Sequence, residues 1–383
     1  MSLELADMGQ SEDSKPFELL SELLLAPPAG PSTRFVRATD PGAGSAPDRA
    51  FERVATLTQG EFDDLRGLAT KNHVIMRSFE PLQRMLTVEG KSEASAWVGA
   101  AMKEETTRIS HALDFLRQIC TTLEEDGCPV VVIKSLDHWP DLGSDLDLYT
   151  DAAAATLIES MKSHFNASLA ERSWGDRLAN KWNFIVPGLP ELVEVHVGRL
   201  GQTGEQTALT RSLASRSQTT ERMGYAFRTS APEDRIVIST LQRMYRHFYI
   251  RLCDIADNGH LLDEGLVDFG LLQTLGTASG LWEGIATYLR IVSEYLRAYR
   301  GDGVPLPSSV TGAAKFGLDQ CHFRKDFLRV PILPHSLNLY AAELRTLILK
   351  GDLRNGFRLS LLPGLATAAA IEQKITGSDK GIW

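Results

Sequence analysis

The chain has 383 residues, 43% of them hydrophobic and 23% charged, the balance of an ordinary soluble protein that is too long for one small core. Its 40 Lys and Arg against 49 Asp and Glu leave a formal charge of -9, which argues against a protein that coats duplex nucleic acid by counterion release. No apolar stretch is long and uninterrupted enough to span a bilayer, the amino terminus is acidic where an export signal is basic, and Cys120, Cys128, Cys253 and Cys321 form no metal-binding spacing or dense disulfide framework, so a cytoplasmic protein with reduced thiols is expected.

An apolar segment at 17–27 gives way to a stretch rich in Pro, Gly and Ser that builds no periodic face, so residues 1–59 are expected to be an arm with a loop or tether. From about Gly60 to Leu86, Phe62, Leu65, Leu68, Val74, Ile75, Phe79 and Leu82 recur at helical spacing, with Pro81 a point of kink or break. A second helix is expected from about Ser95 to Glu125, with Ile109, Leu113, Leu116 and Ile119 on one face, giving a helical region at 60–127. Short β-type runs follow at 129–134, 145–150, 181–186 and 191–197, with a helix after the second for which Thr150 and Asp151 are N-cap candidates. This predicts a mixed α/β core at 128–202. The remainder, 203–383, is mainly helical: Ser230 and Glu233 suit a capping box opening one long helix that ends at Asn258-Gly259, and helical patterns continue at 271–276, 280–300 and 337–351. The expected fold class is α+β, a small mixed sheet flanked by N-terminal helices and a C-terminal helical domain.

The chemistry-bearing segment is 130–150. A buried-strand run leads through a polar turn into a strand carrying Asp145 and Asp147, which project to one side while Leu146 and Leu148 point to the other. Glu194 and His196 share a face of the later strand by the same alternation, opposite Val193, Val195 and Val197. If the two strands are neighbours, Glu194 completes a three-carboxylate cluster of the hard oxygen ligands that Mg²⁺ takes, and two such ions can activate one oxygen and stabilise another. Lys134, Ser135, Gly143 and Ser144 in the preceding turn would face the phosphates of an NTP. A solvated acidic strand face is the other reading of Asp-x-Asp, although the ordered set of elements around it is not what such a face predicts.

The segment resembles the DNA polymerase β-like nucleotidyltransferase superfamily, whose pattern is a hydrophobic residue, Gly, Gly or Ser, a spacer, Asp-x-Asp or Asp-x-Glu, and a third carboxylate on a later strand. Here Ile133-Lys134-Ser135 precedes nine residues, Leu136 to Ser144, then Asp145-Leu146-Asp147-Leu148 and later Glu194. Within that superfamily roughly residues 17 to 300 look most like the bacterial "uncharacterised nucleotidyltransferase" family, in the leading helices with LATKNHVIMRSFEPL, the lysine-bearing strand, the Glu-x-His strand and the helical tail APEDRIVISTLQRMYRHFYIRLCDIADN. The resemblance implies Asp145 and Asp147 as metal ligands, Glu194 completing the site and positioning or deprotonating the acceptor, and transfer of NMP from an NTP to a hydroxyl with release of pyrophosphate. One motif glycine is replaced by Lys134 or, in the other alignment, by Ser135, so a catalytically weak or inactive binding protein of the same fold is the alternative.

Three further readings remain open from the residues alone. His196 assists the site or is a structural histidine. Arg243, Arg246, His247 and Arg251 form a basic stripe on the long helix that faces a triphosphate or pairs with acids such as Asp254 and Asp257. The same carboxylates would also serve a metal-dependent phosphohydrolase. The acceptor, whether a small molecule, a peptide or a protein, and the oligomeric state leave no mark in the sequence, and no membrane or duplex nucleic-acid partner is expected.

Overall fold

The computed structural model describes residues 15–25, 46–324 and 326–364, so most of the expected tether lies outside the described residues. Five helices come first: α1 (Lys15–Leu25), α2 (Ala46–Ala55), α3 (Gln59–Lys71), α4 (Ile75–Val88) and α5 (Ser92–Glu125). The mixed α/β part follows as β1 (Val130–Val132), β2 (Asp145–Thr150), α6 (Ala154–Phe165), β3 (Ser168–Leu169), α7 (Trp174–Leu178), β4 (Lys181–Ile185), β5 (Leu192–Val197), α8 (Thr207–Arg216), β6 (Gln218–Arg222) and β7 (Tyr225–Thr229). The rest comprises α9 (Pro232–Thr240), β8 (Tyr249–Ile250), α10 (Leu252–Asp263), α11 (Phe269–Ser279), α12 (Trp282–Arg300), α13 (Ser308–Ala313), β9 (His322–Arg324), β10 (Phe327–Arg329), α14 (Leu337–Leu349) and α15 (Leu353–Ser360).

The main sheet has seven strands in the order β3-β4-β5-β2-β1-β7-β6, with β2 and β5 parallel, β1 and β7 parallel, and the other pairs antiparallel. The α+β class and the mixed sheet therefore stand. The sheet runs past the expected boundary at 202, because β6 and β7 add to the edge of β1. One face buries Val130, Val132, Leu146, Leu148, Val193 and Val195 against Leu113, Leu116, Ile119 and Leu123 of α5 and Leu157 and Met161 of α6. On the other face, Val131, Ile133 and Tyr149 join a larger core that runs continuously from Phe17 of α1 through α4, α9, α10 and α12. The N-terminal and C-terminal helices are thus one apolar body covering the face that carries the acidic residues.

Local differences from the sequence expectation have identifiable causes. The first helical region breaks at Asn72-His73, where His73 takes φ +52°, and Pro81 is accommodated inside α4. The tail does not form one long helix. It ends α9 at Thr240, passes through a wide π-type turn at Leu241–His247 and a left-handed Phe248, and restarts as α10. Asp254 accepts from the Arg251 amide at 2.7 Å, while the Asn72 side chain and carbonyl accept from the Leu252 and Cys253 amides at 3.1 and 3.3 Å. A contact 180 residues distant in sequence therefore caps the new helix. Asn258-Gly259 does not end it, because α10 runs on to Asp263 and Gly259 lies where a Cβ would meet Leu296 at 2.8 Å. Ser230 makes no capping box, since Ala231 is the N-cap and Glu233 pairs with Arg216. Neither Thr150 nor Asp151 caps α6, whose N-cap is Ala153. Phe248 and Tyr249 lie at the chain reversal, half-buried.

Arg77 of α4 joins the motif turn to the tail, its Nε 3.1 Å from Asp141 and its Nη1 2.6 Å from Asp257 of α10. Both acids are buried, so removing the guanidinium strands two carboxylates in a region of low dielectric. Arg77→Ala is expected to lower the unfolding free energy by about 3–5 kcal/mol in denaturant titration, whereas a loss under about 1 kcal/mol would show that water reaches this network.

Candidate active site

The parallel pairing of β2 with β5 sets Asp147 directly beside Glu194 and Tyr149 beside His196, and β4 on the other side of β5 sets Lys181 beside His196. Period-two alternation then places Asp145, Asp147, Glu194, His196 and Lys181 on one face. The condition left open by the sequence, that the Glu strand lies beside the Asp strand, is met.

Ser135 fixes this geometry from beneath. Its hydroxyl donates to the Asp145 carbonyl at 3.0 Å and accepts from the Asp147 amide at 2.7 Å, and the side chain is buried, so it shapes the start of β2 instead of facing solvent. Gly143 is also buried, its carbonyl accepting from Arg108 of α5, which in turn is anchored on Glu191 at 2.7 Å. Ser144 is exposed and lines a cleft of about 380 Å³ together with His73, Arg108, Glu191, Arg251 and Phe327.

Lys134 occupies the position where the chain turns most sharply. Its φ is +62°, and the Ser135 amide bonds back to the Ile133 carbonyl at 2.6 Å. A left-handed non-glycine residue costs about 1–2 kcal/mol, so of the two motif positions it is 134, not 135, whose backbone suits a glycine. The Lys134 ammonium ion-pairs with Asp147 and lies 3.5 Å from Glu194. Lys181 bonds Glu194 at 2.8 Å and Asp176 at 2.9 Å, and His196 Nε2 donates to Glu194 at 3.0 Å.

The charges divide the three acids into different states. Burial by itself raises the Glu194 carboxyl, but Lys134, Lys181 and the His196 bond outweigh it and hold the group well below the usual range. Asp147 moves the other way, up, because burial and the Glu194 charge outweigh Lys134. Asp145 is raised by burial and by Glu194, and it has no ion-pair partner among the described residues. Burial takes His196 down to about 4 despite its Glu194 bond, so the imidazole is neutral at pH 7, and its Nδ1 is buried without a partner. Asp147, Glu194 and His196 offer ligand atoms all within 4.8 Å of one another, a grouping that could hold a divalent ion, and Asp145 stands on the same face outside it. The donor set of carboxylate oxygens with one neutral imidazole fits Mg²⁺ or, with its nitrogen, Mn²⁺.

The expected basic stripe is split by the chain reversal. Arg243 is buried against Asp254 at 2.6 Å, on the paired side of the two readings. Arg246 lines a small cavity with Lys134 and His196 and has no acid partner among the described residues. Arg251 likewise has none: it reaches His73 at 2.7 Å and the Tyr249 hydroxyl at 3.4 Å. His247 is held well below its ordinary pKa by burial and by Arg246, Arg243, Arg251 and Lys134, so it is a neutral group in a cationic wall. Sequence reasoning missed Lys181, Asp176 and His73, because only the pairing of β4 with β5 and the break at Asn72 bring them to the site.

A second cluster, His138, Cys253 and Asp257, is buried nearby. His138 uses Nδ1 on Asp257 and turns Nε2 to Cys253 Sγ at 3.8 Å, so the two ring nitrogens point to different partners and the group reads as a relay tying the motif turn to α10. Comparison of the chain with protein-family models, with curated proteins and with solved structures gave no match in any of the three.

Removing the Ser135 hydroxyl leaves the Asp147 amide buried without an acceptor. Ser135→Ala is expected to cost about 1–3 kcal/mol of stability, against under about 0.5 kcal/mol for the exposed Ser144→Ala, both read from chemical denaturation. Equal effects at the two serines would show that the hydroxyl does not hold the strand.

Proposed function

We propose that the chain is a divalent-metal-dependent nucleotidyltransferase that transfers NMP from an NTP to a hydroxyl of a small-molecule, peptide or protein acceptor and releases pyrophosphate. The observation that carries this reading is the β2–β5 register, which gathers Asp145, Asp147 and Glu194 on one sheet face, near Arg246 and Arg251, two arginines with no acid partner among the described residues. Acids alone would suit many metal proteins, whereas acids facing unpaired arginines suit a polyanion bound through a metal.

A bound divalent ion would supply charge neutralisation and Lewis acidity at the transferred phosphoryl group. The rest is assigned to the chain's own residues. Arg246 and Arg251 bind phosphate oxygens from the side opposite the carboxylates. Ser144 and the cleft beside it seat part of the substrate. Asp145, without an ion-pair partner among the described residues, is the carboxylate left to hold the ion, and Glu194 is locked in place by two lysines. Neutral His196 orients Glu194 through Nε2.

The alternative, a binding protein that does not turn over, is favoured by the Lys134 ammonium lying on two of the three acids. One assay separates the readings. With labelled NTPs, Mg²⁺ or Mn²⁺ and cell extract as acceptor source, the wild-type chain labels a component and releases pyrophosphate, and Asp145→Asn combined with Asp147→Asn reduces both by at least about 10³-fold with the fold unchanged by circular dichroism. Retained turnover in the double variant sinks the proposal. Free phosphate or NMP without a labelled acceptor would point to a phosphohydrolase, and NTP binding without release to the inactive reading.

Arg246→Ala and Arg251→Ala are each expected to raise the KM for NTP about tenfold while changing kcat less, since each removes one charge-assisted contact to the ground-state phosphates. Unchanged KM in both variants would place the triphosphate elsewhere.

A further inference from the structure

Lys134 is the residue least explained by ordinary packing. An L-residue sits in a left-handed turn, its long side chain is only 13% exposed, and its ammonium reaches Asp147 and Glu194 together. Desolvating an ammonium and straining the backbone are both unfavourable, and the one compensation on view is the negative charge of those two acids. Lys181 does the same for Glu194 from β4. The face thus carries three carboxylates against two ammoniums, one of which is shared with Asp176, and Asp145 is the acid left without a cation. Arg246 adds a further positive charge beside Lys134 and His196.

Resting on the metal-dependent reading above, we infer that the Lys134 ammonium is a resident cation of this site, standing where one of two divalent ions would otherwise bind. The folded protein takes one divalent ion, with Asp145 and the Asp147 oxygen that Lys134 leaves free. A second ion enters only when the Lys134 charge is removed. Lys134, Lys181 and Arg246 already match the three carboxylates in formal charge, so without a triphosphate a second divalent ion meets more uncompensated positive charge than the first. The fold itself then stands without metal, because the inner acids already have partners.

The test uses the full chain without nucleotide. Mn²⁺ is titrated calorimetrically and by electron paramagnetic resonance of the free ion against wild type, Lys134→Met, which keeps the volume and loses the charge, and Lys134→Gly, which also relieves the turn. Wild type is expected to bind one Mn²⁺, and both variants two, with the first at least about tenfold tighter. The melting temperature of wild type should be indifferent to EDTA, whereas the variants should melt lower in EDTA and recover with Mn²⁺. Two ions on wild type overturn the inference without recourse to any variant, so poor folding of a variant does not shield it. Unchanged stoichiometry and affinity in the variants overturn it while leaving the metal-dependent reading intact. Absence of Mn²⁺ binding in wild type and variants alike overturns both.

Discussion

Three carboxylates on one face of a sheet repel one another, and in a partly desolvated setting that repulsion has to be answered locally. The structure answers it with lysines from two strands and a histidine. Lys134 comes from the end of β1, Lys181 from β4 and His196 from the same strand as Glu194, so each neighbour of the acidic strands contributes one compensating group. The result is asymmetric. Glu194 receives three partners and is firmly ionised, Asp147 receives one, and Asp145 none among the described residues. Identical residue types are thus set apart by their surroundings.

The helices around the sheet bear on this chemistry through the turn between β1 and β2. Arg108 of α5 holds the carbonyls of Leu142 and Gly143, Arg77 of α4 holds Asp141, and Arg235 of α9 holds Asp137 at 2.8 Å. Three arginines from three helices thus pin one twelve-residue loop, and its shape is set by charge-assisted bonds more than by its own sequence. Each arginine also needs its acid, which explains why so many charged side chains here are buried in pairs.

Much of the site was legible because strands have a period of two. Asp145 with Asp147, and Glu194 with His196, share a face of their own strand from spacing alone, whereas the parallel register that joins the two pairs comes from the fold. The helix 92–125 and the strand 145–150 were equally readable. What was not readable depends on contacts far apart in sequence. Asn72 capping α10 has no local signature, so the tail was expected as one helix, and Lys181 carries no mark in KWNFI that sends it to Glu194. The role of Ser135 was likewise hidden, since a hydroxyl in a turn gives no sign of whether it faces a ligand or its own backbone.

The broken tail shows how one such contact redirects function. In a continuous helix Arg243 and Arg251 would lie on one face about 12 Å apart, a stripe exposed along a straight rod. The wide turn and the left-handed Phe248 reverse the chain instead, so that Arg243 folds in on Asp254, while Arg246 and Arg251 have no acid partner among the described residues and line separate cavities. The cap from Asn72 thus starts the helix whose Asp254 takes up Arg243. The left-handed His73 that follows Asn72 completes the link, because its ring accepts from the same Arg251. A three-residue break between α3 and α4 thus bears on both arginines: it caps the helix that sequesters Arg243, and it supplies the ring that Arg251 bonds.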